Sequence, residues 1–176
     1  MSVPPAAPRR ELVLPGPQDT EAFGARVGAS LRAGDLVLLS GDLGAGKTTF
    51  TRGLARALGV RGPVTSPTFV IARVHPSLVG GPELVHVDAY RLGSLAEVDD
   101  LDLDTDAEEA VTVVEWGRGL VEELSRDRLE IDLLRPHGAA GGGPDGVAAA
   151  EDEAPVEPRR VTVRGIGERW AGVDLG

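Results

Sequence analysis

At 176 residues, with a formal net charge of 18 − 28 = −10, the chain is long enough for one domain with its own hydrophobic core. The acid excess and an aromatic content of 3% argue against a surface that itself grips a polyanion or stacks bases. Cysteine is absent, which excludes disulfides, thiolate metal sites and thiol nucleophiles; no apolar run approaches the ~18 residues of a membrane span, and a cytoplasmic protein without membrane contact is expected.

The opening stretch MSVPPAAPRRELVLPG has no signal-peptide core and reads as a loose tail. Residues 1–10 are assigned to a flexible tail and 11–176 to a single domain. Asp19 and Thr20 can cap a helix whose apolar face carries Phe23, Val27 and Leu31 at i, i+4, i+8. Asp35 to Gly41, DLVLLSG, is a short apolar run of buried-strand type. A glycine-bearing loop follows, then a helix with Phe50, Leu54 and Leu58 on one stripe and Gly59 at its C-terminal cap.

Further along, TSPTFVIARVH and ELVHVDAYRL flank a Gly-Pro-rich connection and predict a hairpin spanning Phe69 to Asp88. SLAEVDDLDLDTDAEEA reads as an acidic helix and loop. VTVVEWG is a second buried strand, GLVEELSRD a short helix, and DRLEIDLLR and RRVTVRGIG two more strands. Between those last two, residues 136–158 are Gly, Ala, Pro and acid, a composition that buries too little surface to offset ordering and predicts a disordered insertion.

The acidic run Glu97 to Glu109 holds eight carboxylates in thirteen positions. Asp100, Asp102 and Asp104 imitate the start of a calcium loop, but Thr105 replaces the required glycine, so a solvated face is expected, with docking to a basic partner as the sharper alternative. None of the three histidines, His75, His86 and His137, has metal-ligand company, and structural roles are expected for them.

The only lysine of the chain, among 18 basic residues, is Lys47. It lies in Gly41-Asp42-Leu43-Gly44-Ala45-Gly46-Lys47-Thr48, which satisfies G-x-x-x-x-G-K-[ST] with a strand before it and a helix after it. Glycines let the backbone curl so that N–H groups, extending to Thr49, converge on phosphate, and the helix N-terminus adds donors and dipole. Thr48 offers a hydroxyl to Mg²⁺. A slender ammonium reaches between phosphates from inside a tight loop where a broad guanidinium would not fit, which accounts for lysine at 47 in an arginine-rich chain. Asp88 and Glu115 each close an apolar run, where a strand-end carboxylate can hold Mg²⁺ or orient a water.

The set GDLGAGKTT, TSPTF, HVDAYRL and VEWG, in that order, resembles the TsaE family of small bacterial P-loop ATPases, which support threonylcarbamoyl modification of an adenosine in certain tRNAs. The likeness covers about Leu12 to Arg135 and the final strand. It implies a P-loop NTPase-like three-layer α/β fold: a largely parallel sheet, helices on both faces, and an antiparallel extension. It further implies ATP and Mg²⁺ as ligands, Thr68 as a residue sensing the γ-phosphate or its metal, and Asp88 as a Walker-B-like acid. Glu115 would serve as metal ligand or water-orienting base. Trp116 is open between functional surface and core, and Tyr90 and Arg91 are equally ambiguous. The family's partners are TsaB and TsaD, with tRNA reached only through them, and the adenine pocket is sought near Leu14 to Asp19 and the last strand. A small-molecule kinase and a non-catalytic ATP-gated binding module are the alternatives; a kinase calls for clustered arginines, which the sequence shows only in the flanks of the insertion.

Overall fold

A computed structural model describes residues 9–42, 44–64, 72–89, 108–116, 126–135 and 158–175. Their elements run β1 (Arg10–Leu14), α1 (Pro17–Ser30), β2 (Leu36–Gly41), α2 (Lys47–Leu58), β3 (Ala72–His75), β4 (Glu83–Asp88), β5 (Ala110–Glu115), β6 (Arg128–Leu134), β7 (Arg159–Ile166) and a 3₁₀ turn, Glu168–Trp170. The seven strands form one mixed sheet in the order β1-β7-β6-β2-β5-β4-β3. β6, β2, β5 and β4 are mutually parallel, β3 is antiparallel at one edge, and β7 pairs antiparallel with both β6 and β1.

The architecture is α/β, and the Phe69–Asp88 hairpin is seen through its described part, β3 against β4. The N-terminal stretch departs from expectation. Arg10–Leu14 is an edge strand paired along its length with β7, where a loose tail was expected. Its burial pattern alternates toward Leu14, and β7 supplies the hydrogen-bonding edge from more than a hundred residues away. The start of α1 is also shifted. Gly16 is its N-cap with Pro17 following, while Asp19 accepts a hydrogen bond from the Gly16 N–H at 2.9 Å.

Alternation along β2 decides which residues meet the helices. Val37 and Leu39 face α1 and α2 and pack with Phe23, Val27, Phe50, Leu54 and Leu58; Leu36 and Leu38 face the other way, against Val85, Val87 and Val114. Both described helices cover this one face; the helices expected on the opposite face, in 91–107 and 117–125, lie outside the described residues, as does the insertion up to residue 157. Phe23 and Phe50 are fully buried with ring centroids 5.6 Å apart, a tilted pair contributing ~0.5–1.5 kcal/mol beyond its area.

The two helices touch backbone to backbone. A Cβ on Gly24 would come within 2.1 Å of the Phe50 carbonyl oxygen, and one on Gly53 within 2.0 Å of the Glu21 carbonyl oxygen. These two glycines seat α2 against α1 and thereby fix where α2 begins. Gly59 closes α2 as expected, at φ 72°, with its N–H on the Ala55 carbonyl. At the C-terminus, Arg169 forks onto the Asp35 carboxylate at 3.0 Å from both Nε and Nη2, tying the final turn to the start of β2.

Candidate functional site

The site is built where β2 ends. Gly41 is the last residue of the strand, and a Cβ there would stand 2.7 Å from the Leu133 carbonyl oxygen, so the neighbouring strand dictates glycine. Gly44 and Gly46 hold φ of 78° and 103°, in the region glycine enters without strain. Ala45 N–H closes the turn on the Asp42 carbonyl at 3.0 Å, and Gly46 passes the chain into α2.

The two helix starts differ in a way that bears on chemistry. α1 has Asp19 in its first turn, bonded back to its cap, whereas α2 has no side-chain cap and no acid in its first turn. The leading N–H groups of α2, carried by Lys47, Thr48 and Thr49, precede the first i→i−4 acceptor and form a cationic end suited to an anion.

Lys47 is 8% exposed. Its ammonium donates to the carbonyl oxygens of Gly41 and, at 3.2 Å, Asp42, and lies 4.1 Å from the centroid of the Trp116 ring. Burial holds the Lys47 pKa below its usual 10.5, with Glu115, Asp42 and Asp88 acting in the opposite sense. The lysine is thus the buried hub of the loop, within electrostatic reach of the two acids named from the sequence.

Those acids are cross-strand partners: Asp88 ends β4, Glu115 ends β5, and they pair in register. Glu115 is buried and receives His86, whose Nε2 lies 3.0 Å from Glu115 Oε2. His86, expected to be merely structural, is therefore the immediate neighbour of a candidate site acid. Trp116 resolves toward the site: it has φ 60°, a left-handed backbone that costs a bulky residue roughly 1–2 kcal/mol, and its ring covers Lys47. Thr68, Leu43, Tyr90 and Arg91 lie outside the described residues.

Reading missed two arginines. Arg159, at the start of β7, donates from Nε to the Ala45 carbonyl at 3.1 Å and from Nη2 to the Gly44 carbonyl at 3.3 Å. Arg135 has Nη1 3.4 Å from where a Cβ of Gly44 would sit. Both flank the insertion in sequence, and only the antiparallel β6–β7 pairing shows that the flanks come back to the loop.

A cleft of about 480 Å³ adjoins the loop on the sheet face opposite α1 and α2. Ser40, Asp132 and Thr162, a cross-strand row over β2, β6 and β7, line it together with Arg9, Asp42 and Trp116. It includes a residue of the last strand but none from Leu14 to Asp19.

The donor set fits a magnesium-bound polyphosphate: an ammonium, a helix N-terminus, the Thr48 hydroxyl and two carboxylates. Among the described residues no group of three or more His, Cys, Asp or Glu side chains is placed to hold a metal by itself. No helix among them is long and apolar enough to cross a membrane.

The mixed sheet, the glycine loop ahead of an uncapped helix and the paired strand-end acids define an α/β protein. The family model described as threonylcarbamoyl adenosine biosynthesis protein TsaE matches residues 14–140, and the chain belongs to that family. A Streptomyces coelicolor protein named tRNA threonylcarbamoyladenosine biosynthesis protein TsaE is 60% identical over 154 residues, 87% of this chain and 95% of that one. A Bacillus subtilis protein of the same name is 36% identical over 155 residues, covering 88% and 84% of the two chains. The crystal structure of Bacillus subtilis YdiB superposes with a TM-score of 0.65 at 30% identity, over 93% of this chain and 89% of that one.

Proposed function

We propose that this chain is a Mg²⁺-dependent ATPase of P-loop NTPase type that supports threonylcarbamoyladenosine formation in tRNA, together with TsaB and TsaD. Its compartment on this reading is the cytoplasm, and tRNA is held by the partners. The family membership supports the pathway. The observation that carries the nucleotide reading is the single lysine buried at the root of an uncapped helix, facing two strand-end carboxylates.

In this reading Lys47 exchanges its loop carbonyls for phosphate oxygens, and the N–H groups of Gly44 and of Gly46 to Thr49 bind the same tail, the Ala45 N–H being held on the Asp42 carbonyl. Thr48, Asp88 and Glu115 would hold the magnesium, which would supply charge neutralisation to the polyphosphate. Glu115 is the better placed to orient a water, being buried and fixed by His86. Trp116 shields the ammonium from bulk solvent. Thr68 is proposed as the γ-phosphate sensor on the family likeness alone. Hydrolysis would reset the complex with TsaB and TsaD between rounds.

The test is reconstitution with TsaB and TsaD, measuring phosphate release with and without the partners. Release that depends on Mg²⁺ and rises with the partners is expected. Transfer of phosphate to a metabolite would establish the kinase reading instead, and tight ATP binding with no release in the full complex would establish a gated binding module.

A further inference from the structure

We infer that Arg159 is a positioning residue that sets the peptide between Ala45 and Gly46 so that the Gly46 N–H faces the ligand side of the loop. This rests on the polyphosphate reading of the loop for its purpose, though not for its geometry.

The route by which Arg159 reaches the loop is topological. Gly41 pairs with Leu133 across β2 and β6, and Leu134 pairs with Arg160 across β6 and β7. Because β7 runs antiparallel to β6, its first residue comes level with the loop that leaves β2. The guanidinium then bonds two successive carbonyls, Gly44 and Ala45.

In a trans peptide the C=O of one residue and the N–H of the next point in opposite directions. A carbonyl of Ala45 held on Arg159 therefore sends the Gly46 N–H away from Arg159. The same rule applied to Gly44 turns the Ala45 N–H inward, where it meets the Asp42 carbonyl. Gly44 and Gly46 are both at positive φ and bring no Cβ to restrain the peptides they flank; the Asp42 carbonyl holds the Gly44–Ala45 plane from inside the loop, and the Ala45–Gly46 plane is held from outside by Arg159. The planar guanidinium presents Nε and Nη2 to the two oxygens at a fixed spacing, a pre-organisation that the flexible, single-centred ammonium of lysine lacks.

The test uses the full chain with Arg159→Lys and Arg159→Gln. Amide NMR of the nucleotide-free protein reads the loop directly, and calorimetry with Mg²⁺–ADP reads its consequence. In both variants the Gly46 amide resonance is expected to shift, while amides of β4 and β5 stay in place. ADP affinity is expected to fall about tenfold, with Arg159→Lys failing to restore it. If Gly46 is unmoved in either variant, or if lysine restores wild-type affinity and the wild-type amide position, the inference is overturned, the latter result showing charge alone to suffice. Should the wild type bind no nucleotide, the functional reading fails while the Gly46 amide still decides the role of Arg159.

Discussion

His86 Nε2 stands 3.0 Å from Glu115 Oε2, on adjacent parallel strands, with the two side chains 0% and 4% exposed. Among the described residues His86 Nδ1 has no hydrogen-bond partner, and because a carboxylate only accepts, the Nε2 that faces Glu115 is the one carrying the proton. The histidine thus donates to Glu115 and fixes its rotamer. Replacing His86 with Leu removes that donor and leaves the carboxylate buried without it. A loss of ~1–3 kcal/mol in folding stability is expected by urea denaturation, with His86→Asn losing less; equal stability of His86→Leu and wild type would show that the contact contributes nothing.

Glu115→Ala is expected to leave Mg²⁺–ATP binding within about threefold of wild type but to lower hydrolysis roughly a hundredfold in the reconstituted complex, the range for removing a positioned base. A magnesium titration separates the two possible roles. If the loss is recovered at high Mg²⁺, Glu115 is a ligand; if it persists, it orients water.

Lys47→Met is expected to abolish nucleotide binding and yet to stabilise the ligand-free fold. Burial lowers the Lys47 pKa from 10.5, so between the folded value and 10.5 the unfolded chain binds more protons at this site than the folded one. Stability contributed by this residue then rises with pH through that window, and below it the full cost of the buried charge is present. Chemical denaturation of both proteins from pH 7 to just below 10.5 checks this: the advantage of the methionine variant is expected to shrink as pH rises. A constant difference would contradict it.

The loop glycines separate two kinds of cost. Gly46→Ala has room, with Thr20 Cγ2 at 3.5 Å from the new Cβ, but forces alanine to φ 103°, and roughly 1–3 kcal/mol is expected. Gly41→Ala brings its Cβ to 2.7 Å from the Leu133 carbonyl and 3.1 Å from Ala45 Cβ, which wedges β6 and the loop apart. The Gly41 variant is expected to weaken ADP binding more than the Gly46 variant for equal loss of stability, measured by calorimetry beside thermal melts.

Shortening the connection between β6 and β7 tests its independence from the site. Removing residues 139–157 is expected to leave ATP hydrolysis intact provided Arg135 and Arg159 keep their places at the loop. Activity lost together with a shifted Gly46 amide would show that the ends had been pulled; activity lost with the amide unmoved would show a role for the segment itself.

What the sequence made legible was local. β2, the glycine turn and α2 follow one another within 25 residues, and their apolar spacing, glycines and lone lysine each speak for the same arrangement. Arg10–Leu14 was not legible because its pairing edge, β7, is far away in sequence and its own five residues sit among prolines and arginines. His86 and Arg159 were hidden for a related reason. Their partners, Glu115 and the Gly44 and Ala45 carbonyls, are 29 to 115 positions distant, and only strand order brings them together. Trp116 was ambiguous by type, since a tryptophan beside an acid serves a core or a surface equally well; its backbone angle and the ammonium beneath it decide the matter.

At Gly24 and Gly53 the two helices meet with no side chain between their backbones. A layer of rotamers would absorb small displacements; bare peptide against bare peptide transmits them. Thr20 of α1 stands 3.5 Å from the Cβ position of Gly46, so the first helix also touches the residue through which the glycine turn enters α2. The exposed back of the first helix is in this sense joined to the glycine turn through two bare peptide contacts and one threonine.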